Sequence, residues 1–514
     1  MGAVALDPRR PIRGLTDMRD ELHLPPRETL DPADWFAVER LAGRVVADAV
    51  RHLKGIRDRP VWQEMPPGVA DGFTAPPPRH PTPLADVVRE VQETVMPYPM
   101  GNVHPRFWAW FMGAGSLTGA LADFLAAVLG SNLGGGNHAA VHVDRQVVAW
   151  LRDMVGMPAT ASGTLVEGGS AANLIGLTVA RNAMAGIDVR EHGVGAIARP
   201  LRFYGSDQVH SCHRKAVEAL GLGNLALRRV PSDAGFRLDP DALRAAIAED
   251  RARGLRPACV IANAGAVNTG AIDDLETLAD IAAAEGLWLH VDGCIGALLA
   301  IAPRNAHRVA GLARADSLAL DPHKWLHAPF GVGCALIRDG RLLRQSYATT
   351  PEYLQPAPRG VASGPWLHES GPETTRPFRA LKVWMMLREH GVERFGRLID
   401  QNIEQARYLA HRIEAHPRLA LAAAQEINIV CFRYDPGGLD EPARKALNVE
   451  IMLRLQEKGT AVISDTTLRG AHSLRVAICN HRTRITDLDL FVSEVVRIGD
   501  AVWTETSTRC TDGE

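Results

Sequence analysis

The sequence predicts an α/β protein: a large domain on a mostly parallel sheet, a small α+β domain after it and a helical arm before it. Three observations predict this. Short apolar, β-branched runs alternate with helical patterns through the middle of the chain, which is the signature of βαβ units. One strand-helix-strand unit can be read complete. A proline-rich passage then sets the N-terminal helical stretch apart from all that follows.

Residues 1–115 are expected to form the arm. A helical pattern runs from Pro32 to about Gly55, followed by Pro66, Pro67, Pro76, Pro77, Pro78, Pro81 and Pro83. Proline lacks an N–H and fixes φ, so this passage is expected to join neither a helix nor a central strand, and to run over a surface as an extended arm packed on a second subunit. Residues 116–385 carry the sheet, with candidate strands Ala258–Ala262, Leu287–Val291 and Ser317–Leu320. Between the first two, Asp273–Ala284 has apolar residues at helical spacing, acids in its first turn and Gly286 as a stop. Residues 386–514 read as a long helix (Arg394–Ala415), a strand (Ile427–Phe432), a helix (Val449–Lys458), a strand or hairpin ending at Leu474–Ile478, and a closing helix from Asp487.

At 514 residues the chain exceeds one compact core of usual size and can bury a deep site. Hydrophobic content of 46% and charged content of 23% are ordinary for a folded protein. A net charge of -2 and a pI near 6.8 leave no footprint for nucleic acid or anionic lipid, so a small-molecule partner is expected. The seven cysteines are odd in number and scattered, which reads as reduced thiols and a cytoplasmic setting. Met1–Pro8 lacks a basic region followed by an apolar run, Leu6 stands where a myristoylation signal wants Ser or Thr, and no apolar run is long enough to span a bilayer.

The chemistry is concentrated in four segments. In Ala315–Trp325 a strand ends at Leu320, Pro322 breaks it, and Lys324 follows at the carboxyl edge of the sheet, where open α/β folds bind ligands. A lysine amine is ordinarily protonated, with a pKa of about 10.4, so covalent work requires a dry or cationic neighbourhood, which His323 and Trp325 are expected to help supply. About 32 residues earlier, the apolar strand Leu289-His290-Val291 ends in Asp292. A carboxylate at a buried strand end needs a cationic partner or a capping role, and the protonated ring nitrogen of pyridoxal phosphate (PLP) is such a partner. Glu167–Leu177 places Gly168, Gly169 and Ser170 before a helical run, a natural phosphate cradle with Ser170 as cap and donor. It lacks the Gly-Lys-Ser/Thr of a nucleotide-hydrolysing loop. Ser206–His213 offers His210, Cys212 and His213, and His138 and His142 stand at i, i+4, but neither set completes a zinc pattern, so no metal is expected. His213, His138 and His142 read as structural or surface histidines. His210 reads as a ring able to stack on a planar cofactor and assist proton movement.

Taken in order, Gly-Gly-Ser, Ser-Asp-Gln-x-His-Ser, His-Val-Asp and Asp-Pro-His-Lys-Trp resemble the group II PLP-dependent amino-acid decarboxylases, the family of aromatic-L-amino-acid decarboxylase. The resemblance runs from His104-Pro105 and Leu121-Ala122-Asp123 to Arg475–Asn480. It implies a PLP fold-type I (aspartate aminotransferase-like) homodimer with sites at the subunit boundary. It further implies a Schiff base on Lys324, Asp292 at the pyridine nitrogen, His210 stacked on the ring, and Gly169, Ser170, Asp321 and His323 around the phosphate. Thr375, with Arg376, matches a segment that lends contacts across the dimer. Thr350–Leu354 resembles the mobile catalytic loop, in which Tyr353 would protonate the carbanion. Keeping both Tyr353 and His210 favours simple decarboxylation over aldehyde formation. Two positions depart from the family pattern: Cys294 stands for a common alanine, and Asp321 for a common asparagine, so its charge is expected to be hydrogen-bonded or partly protonated. By similarity Trp110, Phe111, Met112, Asn132 and Gly134 wall the substrate pocket. An aromatic amino acid is the first expectation and an acidic or diamino one the second. An aldehyde synthase or transaminase on the same fold, and a non-catalytic binding relative, are the competing readings.

Overall fold

A computed structural model describes residues 28–349 and 351–511. The reading of Met1–Pro8 and the position of Thr350 lie outside the described residues. The main sheet has seven strands: β1 (Ser162–Val166), β2 (Leu201–Ser206), β3 (Leu227–Val230), β4 (Arg256–Asn263), β5 (Trp288–Asp292), β6 (Ser317–Leu320) and β7 (Gly333–Ile337), in the order β1-β7-β6-β5-β4-β2-β3. Strands β3, β2, β4, β5 and β6 are parallel. β7 runs antiparallel to β6 and β1 because the loop after β6 contains no crossover helix to return the chain to its starting edge. β5 is buried along its whole length and β4 at all but its first residue, as befits strands covered on both faces.

The helix Gly169–Met184 crosses this sheet. Its Ala172, Ile175 and Val179 share a core with Phe203, Cys259 and Ile261, each full-sized apolar side chain contributing about 1.5–3 kcal/mol of burial. Close approach depends on Gly176, where a Cβ would stand 2.6 Å from the His290 ring. Beyond the main sheet, β8 (Leu419–Leu421), β9 (Ile429–Tyr434), β10 (Ser464–Leu468) and β11 (Ala471–Ala477) form an antiparallel sheet in the order β10-β11-β9-β8. Helices Val392–Glu414, Glu441–Glu457 and Ile485–Thr511 pack on it through Leu409, Ile413, Leu455 and Phe491.

Two sequence expectations require correction. The helix expected from Val449 begins at Glu441: Asp440 caps it by accepting from Ala443 N at 2.9 Å, and Pro442 lies in the first turn, where its missing N–H costs nothing. For the same reason the proline passage is not wholly extended. Pro67 opens a short helix, Pro67–Gly72, and Pro83 precedes another, Leu84–Glu90, leaving only the exposed stretch between them without helix or strand. The expected N-terminal helix runs Trp35–Lys54 with no buried residue, exposing Trp35, Phe36, Val45, Val46 and Val50. Helix Leu117–Leu129 likewise exposes Leu121, Phe124, Leu125, Val128 and Leu129. No described helix is long and apolar enough to cross a membrane.

Buried histidines make the fold acid-sensitive. Burial pushes His290 down to about 3 and His104 and His481 to about 4. All three are neutral in the fold, whereas in the unfolded chain they protonate near the usual 6.5. The unfolded chain therefore binds more protons between about pH 6.5 and 4, and stability falls as pH falls through that window, by up to about 1.4 kcal/mol per pH unit for each group. Asp273, pushed up to about 6 by burial, acts in the opposite sense between about pH 4 and 6 and offsets roughly one histidine. Chemical denaturation is expected to give a lower unfolding free energy at about pH 5 than at about pH 7. Equal or greater stability at the lower pH would refute the assignment.

Candidate active site

The carboxyl ends of β4, β5 and β6 open onto a cavity of about 640 Å³. Asp292 ends β5, opposite Asn263 of β4 and Ala319 of β6. Lys324 stands in the loop that leaves β6, and both side chains line the cavity.

The surroundings of Lys324, expected to be dry or cationic, contain a carboxylate and an aromatic wall. Its Nζ lies 3.1 Å from Asp321 Oδ2 and 5.8 Å from the centre of the Phe111 ring. Burial alone would lower the amine, but the Asp321 carboxylate outweighs it, and the amine is held above the ordinary lysine range. Trp325 is fully buried and turned away, donating Nε1–H to Asn402 Oδ1 at 3.2 Å, so Phe111 supplies the apolar wall instead. Asp321 has one oxygen on Lys324, and its Oδ1 is buried without a hydrogen-bond partner.

Asp292 is held from two sides. Its Oδ1 accepts from Cys294 N at 3.2 Å and its Oδ2 from His213 Nε2 at 2.9 Å. Burial acts to raise this carboxyl, but His213, the Cys294 side chain and Lys324 together hold it well below the usual carboxylate range. His213, read from sequence as structural or surface, is fully buried and orients the acid. Its spacing, one helical turn after His210, was the signal available. Below them, Trp288 Nε1–H donates to Ser317 Oγ, which meets His290 Nδ1, while His290 Nε2 meets Asn173 Oδ1, each at 2.8 Å. Asn173 Nδ2 then reaches both Cys212 and Cys294 Sγ at 3.6 Å. This chain of bonds fixes the floor of the cavity. Cys212, His213 and Asp292 bring ligand-type atoms within 4.8 Å of one another, with His213 and Asp292 joined by their hydrogen bond and Cys212 Sγ held by Asn173.

The glycine turn adjoins this floor. Gly168 is the N-cap residue of the Gly169–Met184 helix, no side chain caps it, and Ser170 is exposed in the first turn. Ser170 is therefore not the expected cap, and the first N–H groups of the helix have no intrahelical acceptor. A Cβ on Gly169 would come within 2.4 Å of Cys294 Sγ and 2.5 Å of Asp321 Oδ2. His323 borders the same turn with its Nδ1 buried and unpartnered, and burial pushes its pKa down. His210 caps the next helix, Ser211–Ala219: its Nδ1 accepts from Cys212 N at 3.2 Å, which leaves the proton on Nε2, and burial again lowers its pKa.

Trp110, Phe111 and Met112 line the opposite wall. Trp110 and Phe111 hold φ of 58° and 105°, left-handed conformations that cost about 1–3 kcal/mol each. Arg475, on β11, braces this strain and was not singled out from the sequence. Buried in the cavity wall, it donates to the carbonyls of Trp110 (3.2 Å), Asn268 (3.1 Å) and Val267, and to Ser464 Oγ. Its segment was matched only as part of the resemblance. Ser464 and Asp465 of β10 also line the cavity.

Four expected residues, Asn132, Gly134, Thr375 and Tyr353, are not brought to the cavity within one chain. Asn132 is exposed, and its Oδ1 accepts from Gly134 N at 2.9 Å and Arg376 N at 3.0 Å, clamping two loops. Thr375 is exposed beside Arg376, which is buried on Thr164 and Leu165. Tyr353 is 79% exposed on the short helical turn Glu352–Leu354. His138 and His142 also lie outside the cavity.

The residues present fit pyridoxal phosphate: one amine, a carboxylate fixed in its charged form, and an anion cradle of open N–H groups with an unpartnered imidazole nitrogen. Residues 67–435 match the pyridoxal-dependent decarboxylase conserved domain. The chain is 35% identical to aromatic-L-amino-acid decarboxylase of Bacillus atrophaeus over 411 residues, 78% of this chain and 82% of the other. It is 28% identical to phenylacetaldehyde synthase of a Rosa hybrid cultivar, over 88% of this chain and 91% of that protein. The crystal structure of Oryza sativa TDC with PLP and tryptamine matches with a TM-score of 0.85 at 26% identity, covering 92% of this chain and 100% of that one. The chain belongs to the pyridoxal-dependent decarboxylase family. Its activity is PLP-dependent decarboxylation of an amino acid, on the fold expected.

Proposed function

We propose that the substrate is an aromatic L-amino acid, released as its amine, and that Lys324 carries the cofactor. The single observation behind this reading is the convergence of Lys324, Asp292 and the Trp110–Phe111 wall on one cavity. When bound, the cofactor supplies an electron sink for the pair left by the departing carboxylate. Asp292, kept charged by His213 and Cys294 N–H, would hold a proton on the ring nitrogen. His210 would lie against the ring face, and the 168–170 turn with His323 and Asp321 would hold the phosphate. Phe111 and Met112 would exclude water and, with Trp110, orient the substrate side chain. Arg475 favours the aromatic over the acidic reading, since three carbonyls and a hydroxyl already accept its hydrogen bonds.

The site is completed by a second copy in a cytoplasmic homodimer, in which the partner supplies Tyr353 as proton donor and Asn132 and Thr375 as wall. Support comes from the exposed apolar faces of Trp35–Lys54 and Leu117–Leu129 and from the outward position of all three residues. The domains would divide at about residues 115 and 385. Screening the amino acids for carbon dioxide release, with product analysis, tests the function. An aromatic substrate and its amine are expected, from protein that sediments as a dimer. Fastest release from an acidic or diamino substrate, or aldehyde as main product, would replace this reading.

A further inference from the structure

In the free chain the reactive amine is already engaged. Lys324 Nζ lies 3.1 Å from Asp321 Oδ2, and Asp321 is 3% exposed with its Oδ1 unpartnered. The same carboxylate forms one side of the glycine turn, since a Cβ on Gly169 would stand 2.5 Å from Oδ2 and one on Gly168 3.9 Å from Oδ1. One acid therefore touches both the amine that must become a nucleophile and the cradle that takes a phosphate. An ammonium has no lone pair to attack with. Two like charges sharing a buried site force one of them to take up a proton.

The groups facing this pair are Asp292 at the end of β5 and Cys294 after it, His323 beside the pair, His210 and Cys212 at the start of the Ser211–Ala219 helix, and Cys479 after β11. Asp292 is committed to its own two hydrogen bonds, and burial keeps the three thiols protonated. Asp321, in direct contact with Nζ and with an oxygen to spare, is the acceptor that geometry offers.

We propose that Asp321 gates cofactor loading: it holds Lys324 as an unreactive ammonium in the free chain and takes its proton when a phosphate ester settles into the Gly168–Ser170 turn. The step balances. One proton moves from Nζ to Asp321 Oδ2. The amine lone pair bonds to the aldehyde carbon, the carbonyl oxygen leaves as water with the two hydrogens remaining on nitrogen, and nothing is oxidised or reduced. The protonated Asp321 then donates a hydrogen bond to the phosphate instead of repelling it. This rests on the reading of Lys324 as the covalent anchor, and it makes the phosphate a trigger as well as a handle.

The gate is tested on full-length, cofactor-stripped protein, by trapping the new carbon–nitrogen bond with borohydride and following labelled Lys324 by peptide mass spectrometry. Saturating pyridoxal 5'-phosphate is compared with saturating pyridoxal, which lacks the phosphate. At about pH 7 the wild type is expected to react at least about tenfold faster with the phosphate ester. Asp321→Asn is expected to close that gap by raising the rate with pyridoxal. An unchanged ratio in the variant would overturn the gate. A second measurement needs no variant: in wild type the pH midpoint for pyridoxal labelling is expected at least about one unit above that for the phosphate ester, roughly the tenfold difference in neutral amine. Coincident midpoints would overturn the gate too. Failure of both aldehydes to label Lys324 would overturn the anchor reading and the gate together, a result distinct from either of the others.

Discussion

Lys324→Ala is expected to lose turnover by at least about 10³-fold, the scale on which a covalent catalytic group is felt, and to lose the visible absorbance of cofactor held through the amine. No other lysine lines the cavity among the described residues, so no neighbour can substitute. The same change is expected to cost stability in the cofactor-free protein. It strands Asp321, almost fully buried and with its second oxygen already unpartnered, and breaking a buried pair from one side costs about 3–5 kcal/mol. The lower end applies, because the Lys324 side chain keeps 20% of its exposure. Adding Asp321→Asn to Lys324→Ala is expected to recover most of that loss in a denaturant titration while leaving the protein inactive. A double variant as unstable as the single one would remove the ion pair from the account. An unaltered visible spectrum in Lys324→Ala would remove the anchor.

The second large effect is expected at Asp292. Asp292→Asn keeps the shape but replaces one acceptor oxygen by an amide, so either His213 or Cys294 N–H loses its partner, and the charge facing the ring nitrogen is gone. Removing one member of a buried, hydrogen-bonded charge pair costs about 2–5 kcal/mol, or roughly 30- to 4,000-fold in rate. The loss is expected chiefly in kcat, since the charge is needed when electrons leave the substrate. A fall confined to KM, with kcat intact, would move Asp292 from the chemistry to simple retention of the cofactor.

Much of this was legible in the sequence because strand ends carry the chemistry. The run Leu289-His290-Val291 specifies a buried strand by its apolarity, so the acid closing it had to face a ligand or a cap. Pro322 ended the next strand just before Lys324. What was not legible lay in tertiary contacts. The spacing of Ser206–His213 puts His213 one turn after His210 on the same helix, but it does not say that the acid it meets is Asp292, 79 residues further on. Arg475 sits in the small sheet, some 365 residues from the Trp110 carbonyl it holds, and no local pattern joins them. The pairing of Asp321 with Lys324 follows from their i, i+3 spacing, whereas the resemblance implies only a place for Asp321 at the phosphate. The passage holding Pro67 is expected to be extended, yet a proline at a helix start serves as an opening, as Pro67 does here.

The brace from Arg475 to the Trp110 carbonyl ties the aromatic wall of the cavity to the small sheet. On the proposed reading, substrate preference depends on how the small sheet seats the loop that carries Trp110. On that reading, a substitution under β11 that shifts this guanidinium is expected to change which side chains are accepted, with every lining residue unaltered. Attempts to redirect the enzyme by exchanging only the aromatic wall would be working on half of the lock.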